Sequence, residues 1–273
     1  MIGRKTLEKY ILWTGLPVLF VLLTGCPSPP ELHWAEEFEG TELSGDTWNY
    51  ELGDGCPEIC GWGNNEAQVY TRQNHRLEDG KLIITARKED GGYTSTRITT
   101  KDKVEFRYGR VEARAKLPSG TGVWPAIWML GSNIGEVGWP RCGEIDILEY
   151  VGKDPGMVYT SLHTPDSHGN TINTRKTPVA DIEEGFHLFA MEWEPEAIRF
   201  FVDGVLVYTF SPEEQNPEGW PFDQPFYLLV NLAVGGNFGG PQIDDSIFPQ
   251  EFVIDYIRIF KCPEGQFREG GCY

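Results

Sequence analysis

Three acids fall within six positions of the stretch GEIDILEYVG, residues 143–152: Glu144, Asp146 and Glu149. Between them stand Ile145, Ile147 and Leu148, residues of a buried strand. Side chains in a strand alternate faces, so Glu144 and Asp146 share one side while Glu149 falls with Ile145 and Ile147 on the other. Either an acid is buried or the strand is irregular. A β-bulge resolves the conflict, because one extra residue near Ile147 or Leu148 returns Glu149 to the face of the other two. Three acids on one open face repel, which raises at least one pKa and keeps one carboxyl protonated while another is ionised. Retaining glycoside cleavage needs that division, with an ionised nucleophile and a protonated acid about 5 to 5.5 Å apart on either side of the scissile bond. Next-but-one strand neighbours lie roughly 6.6 Å apart between Cα atoms, the right order of separation. The alternative is that Glu144 and Asp146 face solvent and Glu149 ends the strand as an edge charge.

The flanking residues favour the first reading. Trp124 and Trp128 precede the acids in GTGVWPAIWML, and Trp139 and Arg141 sit in GWPRCGEID. Aromatic faces stack on the C–H faces of sugar rings, so tryptophans beside paired carboxylates suit a carbohydrate cleft. Trp128 fits a core position equally well. A metal-carboxylate site is the weaker chemistry, because no histidine stands nearby in the sequence.

Such a face needs a sheet to carry it. Of 273 residues 40% are hydrophobic and 13% aromatic, enough for one sizeable core and within the range of a single large all-β domain. Strand follows strand with turn punctuation, and hardly any stretch holds a helical period for three turns. KLIITA (81–86) is one strand. GRVEARAKL (109–117) alternates Val111, Ala113, Ala115 and Leu117 against Glu112, Arg114 and Lys116, a half-buried antiparallel strand. IRFFVDGVLVYTF (198–210) is two β-rich runs joined by Asp203-Gly204, a pair that tolerates the positive φ angles of a two-residue hairpin turn. FYLLVNLAVGG (226–236) and EFVIDYIRIF (251–260) add two more strands. The expected architecture is an all-β sandwich, curved, with one closing strand near the C-terminus. In that last strand Val253, Asp255, Ile257 and Ile259 share a face, which points Asp255 among apolar neighbours. A buried carboxylate is expensive unless paired or bound to a metal, and an arginine partner or a calcium ion would each satisfy it, the arginine being the first expectation from the residues alone.

The N-terminus reads as an export signal. Arg4, Lys5 and Lys9 precede the apolar ILWTGLPVLFVLL of residues 11–23, too short to span a bilayer. Leu23, Thr24, Gly25 and Cys26 then resemble a bacterial lipobox, with Cys26 taking the lipid and PSPP left as a stiff spacer; ordinary cleavage near Gly25 is the alternative. The whole chain carries a formal charge of -18, and from Cys26 onward 20 basic and 40 acidic residues give -20. That balance excludes phosphate backbones as partners and disfavours sulfated or uronic-acid polymers, unless a local basic cleft overrides the global sign. In an oxidising compartment Cys56 with Cys60 and Cys262 with Cys272 form local disulfides, leaving Cys142 free; zinc is the weaker alternative, as no histidine follows at ligand spacing.

WGNNEAQVYT (62–71), TSTRITTKDKVEFRYGRVEARAKLPSGTGVWPAIWMLG (94–131) and GEIDILEYVG together resemble glycoside hydrolase family 16, and within it the bacterial laminarinases, which are endo-β-1,3-glucanases. The likeness runs from about residue 33 to 261, and the bulged Glu-Ile-Asp-Ile-x-Glu signature is its most specific part. The resemblance implies a β-jelly-roll sandwich of two curved antiparallel sheets with a substrate cleft on the concave face. It implies Glu144 as nucleophile, Glu149 as general acid and then base, and Asp146 as the residue that tunes the nucleophile's protonation. It puts Asn49, Arg97, Trp124 and Trp128 on the glycone side, Trp139 and Arg141 beside the cleaved bond, and His163 near the acid/base; an ion pair on the sheet face and a satisfied strand histidine are the alternatives for Arg97 and His163. No catalytic cofactor is implied. A structural calcium is, held by main-chain oxygens of Glu37 and Gly80 and the carboxylate of Asp255, and on this ground calcium is preferred to the arginine. Phe238 in GGNFGG stands where laminarinases often carry a tryptophan.

The expected organisation is a signal segment (1–25), a spacer (26–32), a catalytic domain (33–261) and a tail (262–273) outside the resemblance. The expected function is an exported, lipid-anchored, monomeric endo-glucanase acting on β-1,3 or mixed β-1,3/1,4 glucans. Agar or galactan cleavage, or a non-enzymatic glucan-binding role, are its rivals.

Overall fold

The computed structural model describes residues 30–261; the export segment, Cys26 and the Cys262 and Cys272 pair lie outside the described residues. Two sheets pack face to face. The sheet that carries the acids runs in the order Thr174–Pro178, Met157–His163, Glu144–Glu149, Val123–Gly131, Phe226–Val234, Arg97–Thr99, Asn49–Tyr50, with Glu105–Phe106 also on the Phe226–Val234 strand. The opposing sheet has ten strands, centred on His187–Trp193, Gly109–Lys116, Gln250–Lys261 and Leu82–Glu89. Among the described residues helix is confined to single turns such as Ile134–Val137 and Gly236–Gly239. This is the expected jelly-roll sandwich, with one departure from antiparallel pairing among the described residues: Gln68–Tyr70 runs parallel to Gly92–Ser95.

The core lies between the sheets. Ile127, Met129, Ile145, Ile147, Leu148, Leu228 and Val230 from one side meet Val111, Ala113, Phe189, Met191, Ile257 and Ile259 from the other, all fully or nearly fully buried. Each large aliphatic or aromatic side chain so buried contributes about 1.5–3 kcal/mol. Trp193 takes edge-on contacts from Phe106, Tyr108 and Phe226. The Asp203-Gly204 hairpin forms as expected, with φ of 49° and 78° and Val202 paired to Val205. Cys56 and Cys60 are bonded, and Cys142 is free and fully buried, its thiol pushed up to about 12 by burial and then by the Glu144 charge.

Two expectations are corrected. Gly109–Lys116 does turn Val111, Ala113 and Ala115 into the core, but its polar face is covered as well: Arg110 and Glu112 are buried, and Arg110 binds both Glu112 and Glu192. The strand is central in its sheet, so side chains of neighbouring strands close over it. Asp255 is not inward-facing. The pairing of Gln250–Lys261 with Gly109–Lys116 shifts register between Ile254 and Tyr256, and buried positions change from Phe252 and Ile254 to Ile257 and Ile259 across that shift. Asp255 is the irregular residue, half-buried and 2.5 Å from Arg114 Nη1, the partner that the residues first suggested.

Backbone approaches around the acid strand need two glycines. A Cβ on Gly131 would collide with the Cys142 carbonyl oxygen, and one on Gly152 with that of Gly120. These contacts fix the entry and exit of the strand that carries the acids.

Candidate active site

The irregularity expected near Ile147 is present. Ala126 pairs with Glu149 and Ile127 with Leu148, but Trp128 pairs with Asp146, so Ile147 has no opposite number on that side. The pairing with Met157–His163 likewise shifts between Asp146 and Glu149. Ile145, Ile147 and Leu148 join the core, which turns Glu144, Asp146 and Glu149 to the other face. The expected spacing needs correction: four residue steps along the partner strand, from Ala126 to Leu130, separate Glu149 from Glu144, or roughly 13 Å between Cα atoms. The two glutamates are therefore not next-but-one neighbours; they flank Asp146 and interact by side-chain reach.

Each glutamate has its own indole donor. Trp139 Nε1 donates to Glu144 Oε2 at 2.7 Å, and Trp124 Nε1 donates to Glu149 Oε1 at 3.1 Å. Ser161 Oγ donates to Glu149 Oε2 at 3.4 Å. Burial, followed by the neighbouring Asp146 charge, pushes Glu144 up to about 8 and Glu149 well above the usual carboxylate range. The indole N–H groups pull back toward the charged forms. Burial thus biases both glutamates toward their protonated forms, Glu149 included. Glu144 is helped toward ionisation by the better hydrogen bond and by His163 at 3.7 Å.

His163 is tied in more firmly than a strand histidine filling a gap. Its Nε2 lies 3.1 Å from Asp146 Oδ2, and its Nδ1 accepts the Gly169 N–H at 3.1 Å. Burial lowers its pKa, yet the Asp146, Glu144 and Glu149 carboxylates outweigh that and favour the charged ring, up to about 9. The Gly169 N–H pulls the other way, since a proton on Nδ1 would face a donor. With this loop geometry the proton belongs on Nε2, facing Asp146. The sequence argued against a metal for want of a histidine, whereas in space donor atoms of Glu144, Asp146 and His163 lie within 4.8 Å of one another. The Trp139 bond to Glu144 and the indole-capped Glu149 are what an acid pair requires.

Arg97 and Trp128 form the floor beside the acids. The Arg97 guanidinium lies 4.6 Å from the Trp62 ring and 4.8 Å from the Trp128 ring, and its Nε is 2.5 Å from Glu51. The ion pair is present, and the guanidinium is held between two indole rings on the same face. Trp128 is only partly buried and donates to Asn231 Oδ1 at 2.8 Å. Phe238 packs edge-on against Trp124 and Tyr159. Trp139 is 45% exposed, while Arg141 is exposed and pairs with Glu218 at 3.5 Å. Asn49 sits on the last strand of the sheet and donates to the Lys101 carbonyl.

Sequence reasoning gave no role to Trp62, Glu66, Tyr70 or Asn231. Tyr70 donates to Glu66 Oε2 and accepts from Asn231 Nδ2, which links Glu66 to Trp128 through Asn231. Burial pushes the Glu66 carboxyl up, against the pull of Arg97. Asn231 was the readable signal, a polar residue inside the apolar run FYLLVNLAV.

Residues 63–258 match the family described as glycosyl hydrolases family 16. The chain belongs to that family. It is 44% identical over 252 residues to a β-glucanase of Rhodothermus marinus, covering 86% of each chain. The laminarinase of Flavobacterium sp. UMI-01 superimposes with a TM-score of 0.84 at 63% identity, over 85% of this chain and 100% of that one. The laminarinase catalytic domain of Thermotoga maritima MSB8 gives 0.81 at 44% identity, over 85% and 98%. The protein is a family 16 glycoside hydrolase and needs no catalytic cofactor.

The two indoles act on opposite arms of the pH profile. Trp139→Phe removes a donor that favours ionised Glu144, so its pKa rises and the acidic limb of kcat/KM moves up by about one pH unit. Trp124→Phe does the same to Glu149, and with Glu149 acting as the general acid the basic limb is expected to move up instead. Profiles measured for both variants that shift the same limb would overturn these assignments.

Proposed function

We propose that the chain is an endo-acting, retaining β-glucan hydrolase that cleaves β-1,3 linkages in laminarin-like glucans and accepts mixed β-1,3/1,4 chains. The observation that carries it is the single bulge at Ile147, which sets Glu144 and Glu149 on one face with separate indole donors. Relatives named laminarinase and β-glucanase support the linkage, and one structural neighbour is a non-specific endo-β-1,3(4)-glucanase. In this reading ionised Glu144 attacks the anomeric carbon while Glu149 protonates the departing glycosidic oxygen. Glu149, now a carboxylate, then takes a proton from water, which attacks the same carbon and releases Glu144. Asp146 and His163 hold the charge balance beside Glu144. Trp124, Trp128 and Arg97 carry the glycone sugars, and Trp139 flanks the cleaved bond.

Outside the cleft, the proposed structural calcium would draw on main-chain oxygens of Glu37 and Gly80 and on the Asp255 carboxylate. The Glu39 carboxylate lies against Gly80, and hard oxygen donors suit that ion. It would have to share Asp255 with Arg114, and its effect would be on stability alone. Cys26 is the proposed lipid attachment site of an exported monomer.

Proton NMR of laminarin digestion should show the β-anomer of the new reducing end first. Glu144→Gln should keep glucan binding and lose turnover by several orders of magnitude; an active variant would unseat Glu144 as nucleophile. Absence of new reducing ends would favour agar or galactan, then a binding role. Calcium at about 100 times its dissociation constant should raise Tm by about 5–10 °C over the chelated protein, and an unchanged Tm would leave Arg114 as the sole partner of Asp255. Mass spectrometry of the N-terminal peptide should find acyl chains on Cys26, and an unmodified Cys26 would favour ordinary cleavage.

A further inference from the structure

Trp128, Asn231, Tyr70 and Glu66 form one run of hydrogen bonds in which every donor can be assigned. An indole nitrogen can only donate, so the Trp128 Nε1–H, at 2.8 Å, fixes the Asn231 side-chain oxygen as its acceptor. Asn231 Nδ2 then faces the Tyr70 hydroxyl oxygen, 3.1 Å away, and it too can only donate. That leaves the single Tyr70 O–H to go to Glu66 Oε2 at 3.0 Å. A second set converges on the same oxygen. Gln68 Oε1 accepts the Val234 N–H at 2.7 Å, which turns Gln68 Nε2 to Glu66 Oε2, also at 2.7 Å. Glu66 is the acceptor on which both sets end.

The run joins the two sheets to the floor beside the acids. Trp128 and Asn231 stand on adjacent strands of the acid-bearing sheet, Val123–Gly131 and Phe226–Val234, while Gln68–Tyr70 is the end strand of the opposing one. Trp128 pairs with Asp146 across the strands, so whatever orients its ring does so next to the acids. Tyr70 and Asn231 are buried, and a Cβ on Gly236 would come within 3.4 Å of both Glu66 and Trp124, which sets the Glu66 stem at the edge of the same floor. Packing alone does not call for these groups, because apolar side chains of similar volume fill a space between sheets without any hydrogen bonds to satisfy. What the run adds is a fixed direction for one indole. Arg97, against the face of that indole, is anchored separately by Glu51 and keeps that anchor if the run is cut.

We propose that Glu66 is a positioning residue for glucan binding, holding the Trp128 indole in one orientation through Tyr70 and Asn231. It acts through Trp128 and touches none of the reacting atoms. The proposal rests on the glucanase reading above and adds to it a residue outside the acid-bearing strand.

The test is steady-state kinetics of the full-length protein on laminarin, with each variant made in the wild type and in a Trp128→Phe background. Glu66→Leu removes the terminal acceptor and should raise KM about tenfold with kcat within about twofold, the signature of binding lost equally from ground and transition states. Glu66→Gln keeps a carbonyl oxygen for the Tyr70 hydroxyl and should bring KM back to within about threefold of the wild type. In the Trp128→Phe background, which lacks the indole N–H, Glu66→Leu should change KM by less than about twofold, because the two substitutions then remove the same interaction. Equal effects of Glu66→Leu in both backgrounds, a Glu66→Gln variant as impaired as Glu66→Leu, or an unchanged KM throughout would each overturn the proposal. If Glu66→Leu fails to fold, Tyr70→Phe cuts the same run, and its KM in the two backgrounds supports or overturns the proposal on the same results. A wild-type protein inactive on laminarin would refute the glucanase reading and the proposal with it, whereas an active wild type with any of those variant results overturns the proposal alone.

Discussion

Period-two alternation is a rigid rule, and the chemistry of this protein depends on breaking it once. Without the extra residue at Ile147, either Glu149 would enter the apolar layer with Ile145 or a pair of isoleucines would be turned out to solvent. With it, Ile145, Ile147 and Leu148 all reach the core and all three acids reach the cleft. The same apolar packing that stabilises the sandwich therefore holds three carboxylates where their repulsion cannot be relieved by turning away. The raised pKa values of Glu144 and Glu149 follow from burial the core imposes, with Asp146 adding its charge.

The second arrangement of consequence is the way neutral donors are distributed around that charge. Trp139 serves Glu144, Trp124 serves Glu149, and the Gly169 N–H orients His163 toward Asp146. None of these donors adds net charge. They discriminate between carboxylates that are chemically alike and close together, giving the two glutamates different environments. Arg97, held between Trp62 and Trp128 and anchored by Glu51, is fixed in orientation, so little ordering of that side chain would remain for any ligand that meets it.

How much of this could be read in the sequence depends on how local each cause was. The bulge was legible because parity within ten residues made it necessary, and the Asp203-Gly204 turn because two adjacent residues determine it. Asp255 shows the limit of the same logic. A second bulge, in a strand of twelve residues, shifted the inward face without any acid triplet to signal it, and the carboxylate expected inside met Arg114 instead. The outer face of Gly109–Lys116 was likewise out of reach, since what covers Arg110 and Glu112 comes from strands far along the chain. Asn231 and Glu66 were visible as residues, but their link through Tyr70 exists only once distant strands are paired.

The buried thiol of Cys142 has a consequence for the covalent integrity of the chain. With burial pushing its pKa up to about 12, the thiolate is scarce at neutral pH, and it is enclosed in the protein. Thiol–disulfide exchange proceeds through an accessible thiolate, so the native fold keeps Cys142 from attacking the Cys56–Cys60 bond. Scrambling of that bond by Cys142 is thus confined to the interval before the acid-bearing sheet closes over the sulfur.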